Sequence, residues 1–273
     1  MSSHTVEVSP EQQAQNEQFL KERRENGQVR YIKRHSLQAR VTHGVTIICC
    51  LWLMISGLFV FVPPLTQAVG PNVVLFFRMS HRVIGVVYIL VPVLSAILAP
   101  KGVLHILHVN ICKWTSDDVK WIMLFFPYLF GAKYIHMPDQ DDQKSGQRFA
   151  DGMLWIFGIE MAVTGLVLML GDGTLFELGS AHGIVLWLHD LGFFLLIIFV
   201  LAHIFLGGGI FQPYKGKWNI DKNRNCWNLM FGDGMVSESD ALYHWGHWAR
   251  RELESGENVY IKDTRTGKIK KQK

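Results

Sequence analysis

Leu188–His203 reads LHDLGFFLLIIFVLAH. Histidines stand at both ends of it, His189 and His203, Asp190 follows the first, and every other residue is uncharged. Titratable side chains in so apolar a run are costly, and inside a membrane they mark function more often than packing. The run is part of a longer one, Gly183–Phe211, whose only charge besides histidine is Asp190. Val45–Val62 and Val83–Pro100 carry no charge, and Gly152–Leu170 carries only Glu160. Each stretch is near or above the ~18–20 residues that cross ~30 Å of hydrocarbon. A soluble core seldom uses four such runs. The sequence therefore predicts an all-α integral membrane four-helix bundle with spans at about 43–63, 80–100, 150–170 and 183–208.

The polar flanks are an N-terminal segment, 1–42, and a C-terminal tail, 212–273. No short apolar segment with a small-residue cleavage site precedes the first span, so no secretory signal peptide is expected. Trp121–Gly131 (WIMLFFPYLFG) is too short to span and contains Pro127; it reads as an interfacial or partner-packing segment. Lys and Arg number seven in 1–42, six in 101–148 and twelve in 212–273, against only Arg78 and Arg82 in the two remaining loops. Alternate loops are basic, which predicts a cytoplasmic location for both termini and for the 101–148 loop. The net charge of +4 follows from this bias and calls for no nucleic-acid partner. Cys49, Cys50, Cys112 and Cys226 form no C-x-x-C pair, so neither an iron–sulfur cluster, a structural zinc nor covalent haem attachment is expected. Cys49 and Cys50 read as packing residues of the first span.

Of the twelve histidines, His4, His35, His105, His108, His136, His244 and His247 fall outside the spans and read as solvated or interfacial. The topology gives the others a depth. His43 opens a span that starts inside; His81 opens one that starts outside. His189 and His203 are 14 residues apart in the fourth span, ~21 Å along a helix and on nearly the same face. His81 thus matches the outer depth of His189, and His43 the inner depth of His203. Two imidazole pairs, each drawn from two spans, can ligate two haem irons stacked across the membrane. Interhelical polar contacts worth ~0.6 kcal/mol each do not account for that pairing. His182 lies 21 residues before His203, ~31 Å along the helix, which is a full bilayer thickness. It is expected to meet a haem propionate or a partner rather than iron. Asp190 can orient His189 from behind. Gly57, Gly85, Gly165 and Gly192, one per span, suit either a flat macrocycle or close helix contact.

The pattern of His43, Ser56-Gly57, His81-Arg82-Val83-Ile84-Gly85, SGQR at Ser145–Arg148, Val163-Thr164-Gly165 and His189-x13-His203 resembles the cytochrome b (gamma) subunit of membrane-bound respiratory formate dehydrogenases. The likeness runs from about His35 to about Glu254, and the tail GMVSESDALYHWGHWARRE looks like that family's amphipathic cytoplasmic end. It implies a chain in a bacterial or archaeal cytoplasmic membrane, with two b haems. An iron–sulfur (beta) subunit would feed them, and a molybdenum or tungsten catalytic (alpha) subunit would hold the formate site. By this resemblance His81 and His189 hold the outer haem, His43 and His203 the inner one, and quinone (menaquinone or ubiquinone) is reduced beside the inner haem. Gly146 and Gln147 match the family's Gly-Gln there; Lys144 stands where the family often has Asn.

The run QKSGQRFADG, Gln143–Gly152, enters the membrane on the side of His43 and His203 and is the expected quinone site. Gly146 would let a ring approach the backbone, Gln147 would donate to a quinone carbonyl, and Asp151 would relay protons. Lys144 and Arg148 also read as ordinary basic flanks. Glu160, ~13 Å further in, reads as structural or water-linked. Other readings are the cytochrome b of a hydrogenase or of a thiosulfate or polysulfide reductase, and, more distantly, a haemless proton-linked transporter or assembly factor.

Overall fold

The computed structural model describes residues 25–130, 135, 137–171, 173–207, 229–230, 232–263 and 265–272. Strand β1 (Gln28–Lys33) leads into helix α1 (Leu37–Phe61), started by Ser36, whose hydroxyl accepts from the Ala39 N–H at 3.1 Å. The short α2 (Pro63–Val69) and Gly70 turn the chain into α3 (Pro71–Leu98), with Pro at its first position where no N–H is needed. Helix α4 (Pro100–Leu107), a π turn at His108–Cys112 and α5 (Ser116–Leu129) follow. Then come α6 (Ser145–Leu170), a 3-10 turn and α7 (His182–Gly207). The tail folds as β2 (Met235–Ser237), α8 (Glu238–His244), α9 (Gly246–Ser255), β3 (Val259–Asp263) and β4 (Ile269–Lys271).

Among the described residues, four helices are long and apolar enough to cross a membrane, with mean hydropathy of 2.0 to 2.5. They are the four expected spans, and the all-α membrane bundle stands. Their large apolar side chains face outward: Ile48 and Ile97 are each 70 % exposed and Leu98 75 %. That pattern suits a lipid environment and would be a liability in water. The helices begin earlier than the expected spans: at Leu37 rather than about 43, Pro71 rather than 80, Ser145 rather than 150. Arg40, Arg78, Arg82 and Arg148 are helical, and a window defined by absence of charge stops short of them. His81 accordingly lies about three turns into α3 instead of opening it.

The bundle is two tight hairpins, α1 with α3 and α6 with α7, and the contact between them is thin. The hairpins repeat. A shift of 108 residues carries Arg40 onto Arg148, Gly44 onto Gly152, Ser56-Gly57-Leu58 onto Thr164-Gly165-Leu166 and His81 onto His189.

Both polar flanks meet at one end of the bundle. The sheet has strand order β2-β1-β3-β4, all neighbours antiparallel, with Tyr31 opposite Ser237 on one side and Tyr260 on the other. The sequence reading did not include this sheet. Its core is Ile32, Leu229, Val236, Ala241, Trp245, Trp248 and Ala249. Trp121–Leu129 belongs to α5, with Trp121 3 % exposed and Phe126 61 %. The 137–144 stretch joins the same end: Gln140's carbonyl accepts from the His247 N–H at 3.1 Å, and Asp139 and Asp141 pair with Arg250 and Arg251. This end is called the cap end below. Gly234 fixes the cap to the root of α1: its carbonyl accepts from the N–H groups of Arg34 and His35 at 2.8 and 3.1 Å. Its φ is +75° and a Cβ would lie 2.3 Å from the His35 carbonyl oxygen, so only glycine fits.

Of the histidines expected to be solvated or interfacial, His35 and His244 are half-buried at the cap end. Burial, helped for His244 by Lys144 and Arg34 and for His35 by Arg34, His43 and Arg40, pushes each down to about 3. An unfolded cap would titrate them near the ordinary value of about 6.5. Their folded values are depressed, so as pH falls from about 6.5 toward 3 the unfolded form takes up protons first. The cap keeps its full stability above that window and loses it through the window. Amide exchange at Tyr31 and Ile32, corrected for intrinsic rates, should show weaker protection at pH 5.5 than at 7.5; equal protection would count against these buried neutral imidazoles. Residues 1–24 with His4, His136, and 208–228, which hold the last residue of the fourth expected span, the start of the tail and Cys226, lie outside the described residues.

Candidate functional site

The structure brings the four span histidines together in two pairs. His81 on α3 faces His189 on α7 with ring centroids 6.4 Å apart; His43 on α1 faces His203 on α7 at 6.0 Å. Two imidazoles sharing one metal at about 2 Å per nitrogen have centroids about 6 Å apart. Each pair bridges the two hairpins, where the bundle's own packing is thinnest. Along α7 the pairs are separated by 14 residues, ~21 Å.

The hydrogen bonds behind the rings decide which nitrogen can bind metal. Ser56 Oγ lies 2.7 Å from the Trp52 carbonyl and 2.9 Å from His81 Nδ1. A hydroxyl has one proton. Donated to the carbonyl four residues back, it leaves Ser56 able only to accept from the imidazole. Nδ1 then carries the proton, and Nε2 keeps a free lone pair. Thr164 repeats the arrangement, at 2.8 Å from the Glu160 carbonyl and 2.8 Å from His189 Nδ1. In both cases the hydroxyl residue precedes its histidine by 25 residues. The neighbouring glycines clear the rings: a Cβ at Gly57 would lie 3.5 Å from His81 Cε1, and one at Gly165 3.2 Å from His189 Cε1. This far-end pair is symmetric under the repeat.

The cap-end pair is not. His203 Nδ1 lies 2.5 Å from Asp151 Oδ1, and Gln143 Nε2 donates to the other oxygen at 3.3 Å. His43 Nδ1 is buried with no hydrogen-bond partner among the described residues.

Around the far-end pair is a cavity of about 720 Å³ whose lining includes Gly57, Gly85, Gly165, Arg78, Arg82 and His182. That size and apolar character suit a cofactor. His182 lines it together with Arg78 and Arg82, while His189 makes the ring pair with His81. The two guanidinium groups in the lining suit carboxylate arms of a cofactor.

Several expectations change. Asp190 lines this cavity but does not hold His189; Thr164 does. Successive helical residues point ~100° apart, so a neighbour in sequence is poorly placed to bond Nδ1. Gly192 clears Glu160: a Cβ there would fall 1.9 Å from Glu160 Oε2. Both Glu160 oxygens are sealed in that α6–α7 seam without a hydrogen-bond partner among the described residues. The ring lying on Gly146 is that of Trp121, at 2.6 Å from a hypothetical Cβ, and Gln147 is half-buried beside it. Arg148 is no simple basic flank. It is 2 % exposed and donates at 2.7 Å to Asp118 and at 2.7 Å to the Lys113 carbonyl. Lys144 is buried with its ammonium 5.7 Å from the Trp245 ring. The hydroxyl partners Ser56 and Thr164 and the Asp151 contact were missed as roles; the common 25-residue spacing was the signal that pointed to the first two.

No described residues form a three-member cluster of His, Cys, Asp and Glu that would hold a bare metal ion. The donor sets are pairs, as axial ligation of haem requires. No curated protein matches the chain. The family model for prokaryotic cytochrome b561 matches residues 34–217, well over half of it. With four membrane-length helices and paired intramembrane imidazoles, the chain belongs to the prokaryotic cytochrome b561 family, multi-pass membrane proteins that transfer electrons through haem b.

Proposed function

We propose that the chain carries two b haems, one at each end of the bundle, and is the cytochrome subunit of a respiratory formate dehydrogenase that delivers electrons to quinone. The observation that carries the two-haem reading is the pair of imidazole couples at 6.0 and 6.4 Å, two depths apart on α7. His81 and His189 hold the far-end haem, His43 and His203 the cap-end one. When bound, each haem iron accepts and releases one electron at a time. The histidines hold their rings, and the hydroxyls and Asp151 fix the tautomer.

The cap end is cytoplasmic in this reading. The support is that the described parts of the three Lys- and Arg-rich segments gather there, as the positive-inside rule requires. Electrons enter at the far-end haem from an iron–sulfur (beta) subunit whose molybdenum or tungsten (alpha) partner oxidises formate. They leave at the cap-end haem to quinone near Gln147 and Asp151. Formate chemistry belongs to the other chains. The likeness of the His43, Ser56-Gly57, Ser145–Arg148 and Val163–Gly165 motifs to formate dehydrogenase cytochromes supports this partner.

The test is purification in mild detergent with mass spectrometry of whatever accompanies the chain, followed by formate addition. A molybdenum or tungsten formate dehydrogenase subunit should co-purify, formate should reduce both haems, and added quinone should reoxidise them. Gln147→Ala should slow the reoxidation alone. A hydrogenase or sulfur-compound reductase in the preparation, with no haem reduction by formate, would replace the partner named here.

A further inference from the structure

The two histidine pairs are held by different chemistry. At the far end both acceptors are neutral hydroxyls whose protons go to main-chain carbonyls, Ser56 to Trp52 and Thr164 to Glu160. At the cap end the acceptor for His203 is a carboxylate at 2.5 Å. The repeat shows how this asymmetry is built. The 108-residue shift carries His43 onto Asp151 and Ser95 onto His203. Ser95, the counterpart of His203, bonds Thr42 at 2.7 Å inside the first hairpin. A fully symmetric bundle would bear a ligand at 151 as it does at 43. The chain instead places there a carboxylate that holds His203. Asp151 is buried at 9 % exposure, and among the described residues its side-chain oxygens meet only His203 and Gln143. Among the described residues no Lys or Arg forms an ion pair with it.

We infer that Asp151 is a positioning residue that makes His203 an anionic-type ligand and so holds the cap-end haem at a lower reduction potential than the far-end haem. A carboxylate on Nδ1–H raises the basicity of the metal-bound nitrogen. A more basic ligand favours the more highly charged ferric iron, and burial strengthens the effect because little water screens it. Neutral hydroxyls at His81 and His189 exert a weaker pull of the same kind. An iron biased toward the ferric form is the stronger electron donor to an acceptor on its own side of the membrane, and its reduction by the far-end haem is uphill to the same extent, so that step is drawn forward by onward transfer to the acceptor. The role rests on the two-haem reading proposed above, and it separates Asp151 from a merely solvating or quinone-protonating carboxylate, which would leave the haem potential unchanged.

Spectroelectrochemical titration of the purified full chain, with haem content by pyridine haemochrome, tests it. Unmutated protein should show two haems with separate midpoints. Asp151→Asn keeps the size and hydrogen-bonding ability and removes the charge. It should raise the lower midpoint by the equivalent of roughly tenfold in the ferric-to-ferrous ratio, about 59 mV for a one-electron couple, and leave the upper one in place. Asp151→Glu should restore the lower value. Gln143→Leu removes the donor that draws charge off Asp151 and should move the same midpoint slightly down, and it gives a reading even if Asp151→Asn sheds its haem. Two haems with unmoved midpoints in the haem-retaining variants would overturn the inference while sparing the two-haem reading. A single haem in unmutated protein would overturn both.

Discussion

Replacing His189 with alanine should halve the haem content, leaving one haem whose spectrum and midpoint are those of the cap-end site. His81→Ala should give the same product, because the two rings face one another at 6.4 Å and one imidazole cannot replace the pair. His43→Ala and His203→Ala should remove the other haem and leave the far-end spectrum intact. His182→Ala should keep both haems, since His182 lines the cavity but His189 makes the ring contact with His81. Ser56→Ala and Thr164→Val should act in the same direction as the far-end ligand variants but more weakly. Each removes an acceptor behind a ligand, and such losses typically weaken metal binding about 10–100-fold. Haem-to-protein ratios and difference spectra of the purified variants check the set. A His189→Ala protein with two unaltered haems would sink the assignment.

Asp118→Ala should be among the most damaging changes outside the ligands. Asp118 is 5 % exposed and gathers four donors: the Thr115 N–H and hydroxyl at 2.8 Å each, the Ser145 hydroxyl at 2.7 Å and Arg148 at 2.7 Å. It closes the capping box of α5 and ties that helix to the first turn of α6. Its loss would leave the Arg148 guanidinium, 2 % exposed, without an anion. Breaking a buried pair from one side costs about 3–5 kcal/mol. The control is Asp139→Ala, which breaks a pair with Arg250 whose side chains are 52 % and 31 % exposed, and should cost under ~1 kcal/mol. Thermal loss of the Soret band in detergent separates the two. Similar losses for both variants would show that the buried network contributes no more than a surface pair. Because α6 carries Asp151 and Thr164 from this anchored end, Asp118→Ala should also broaden the haem spectra.

Much of this was legible along the chain because membrane insertion is a local property. Twenty apolar residues without charge span wherever they occur, and the period of the helix assigns His189 and His203 one face at two depths. The cost of placing an imidazole in hydrocarbon makes such positions informative. What was read less well depended on neighbours. The helix starts were set late because Arg40, Arg78, Arg82 and Arg148 interrupt the apolar windows, although a helix continues past the hydrocarbon edge. The quinone-site run Gln143–Gly152 was assigned by its polarity, yet most of that polarity is spent internally: Arg148 on Asp118, Ser145 on Asp118 and Gln140, Asp151 on His203.

The sequence by itself determined the four spans, the two imidazole pairs and the basic end, because hydropathy, charge asymmetry and helical phase are written within single segments. Only the tertiary structure decided that β1 pairs with β2 and β3 from the far end of the chain. Strand partners separated by some 200 residues leave no local trace, and a six-residue strand such as QVRYIK has too few residues to specify its neighbour. Only the tertiary structure also decided that Thr164 rather than the adjacent Asp190 holds His189, and that Asp151 holds His203. A side chain bonds what faces it across a helix seam, not what adjoins it in the chain.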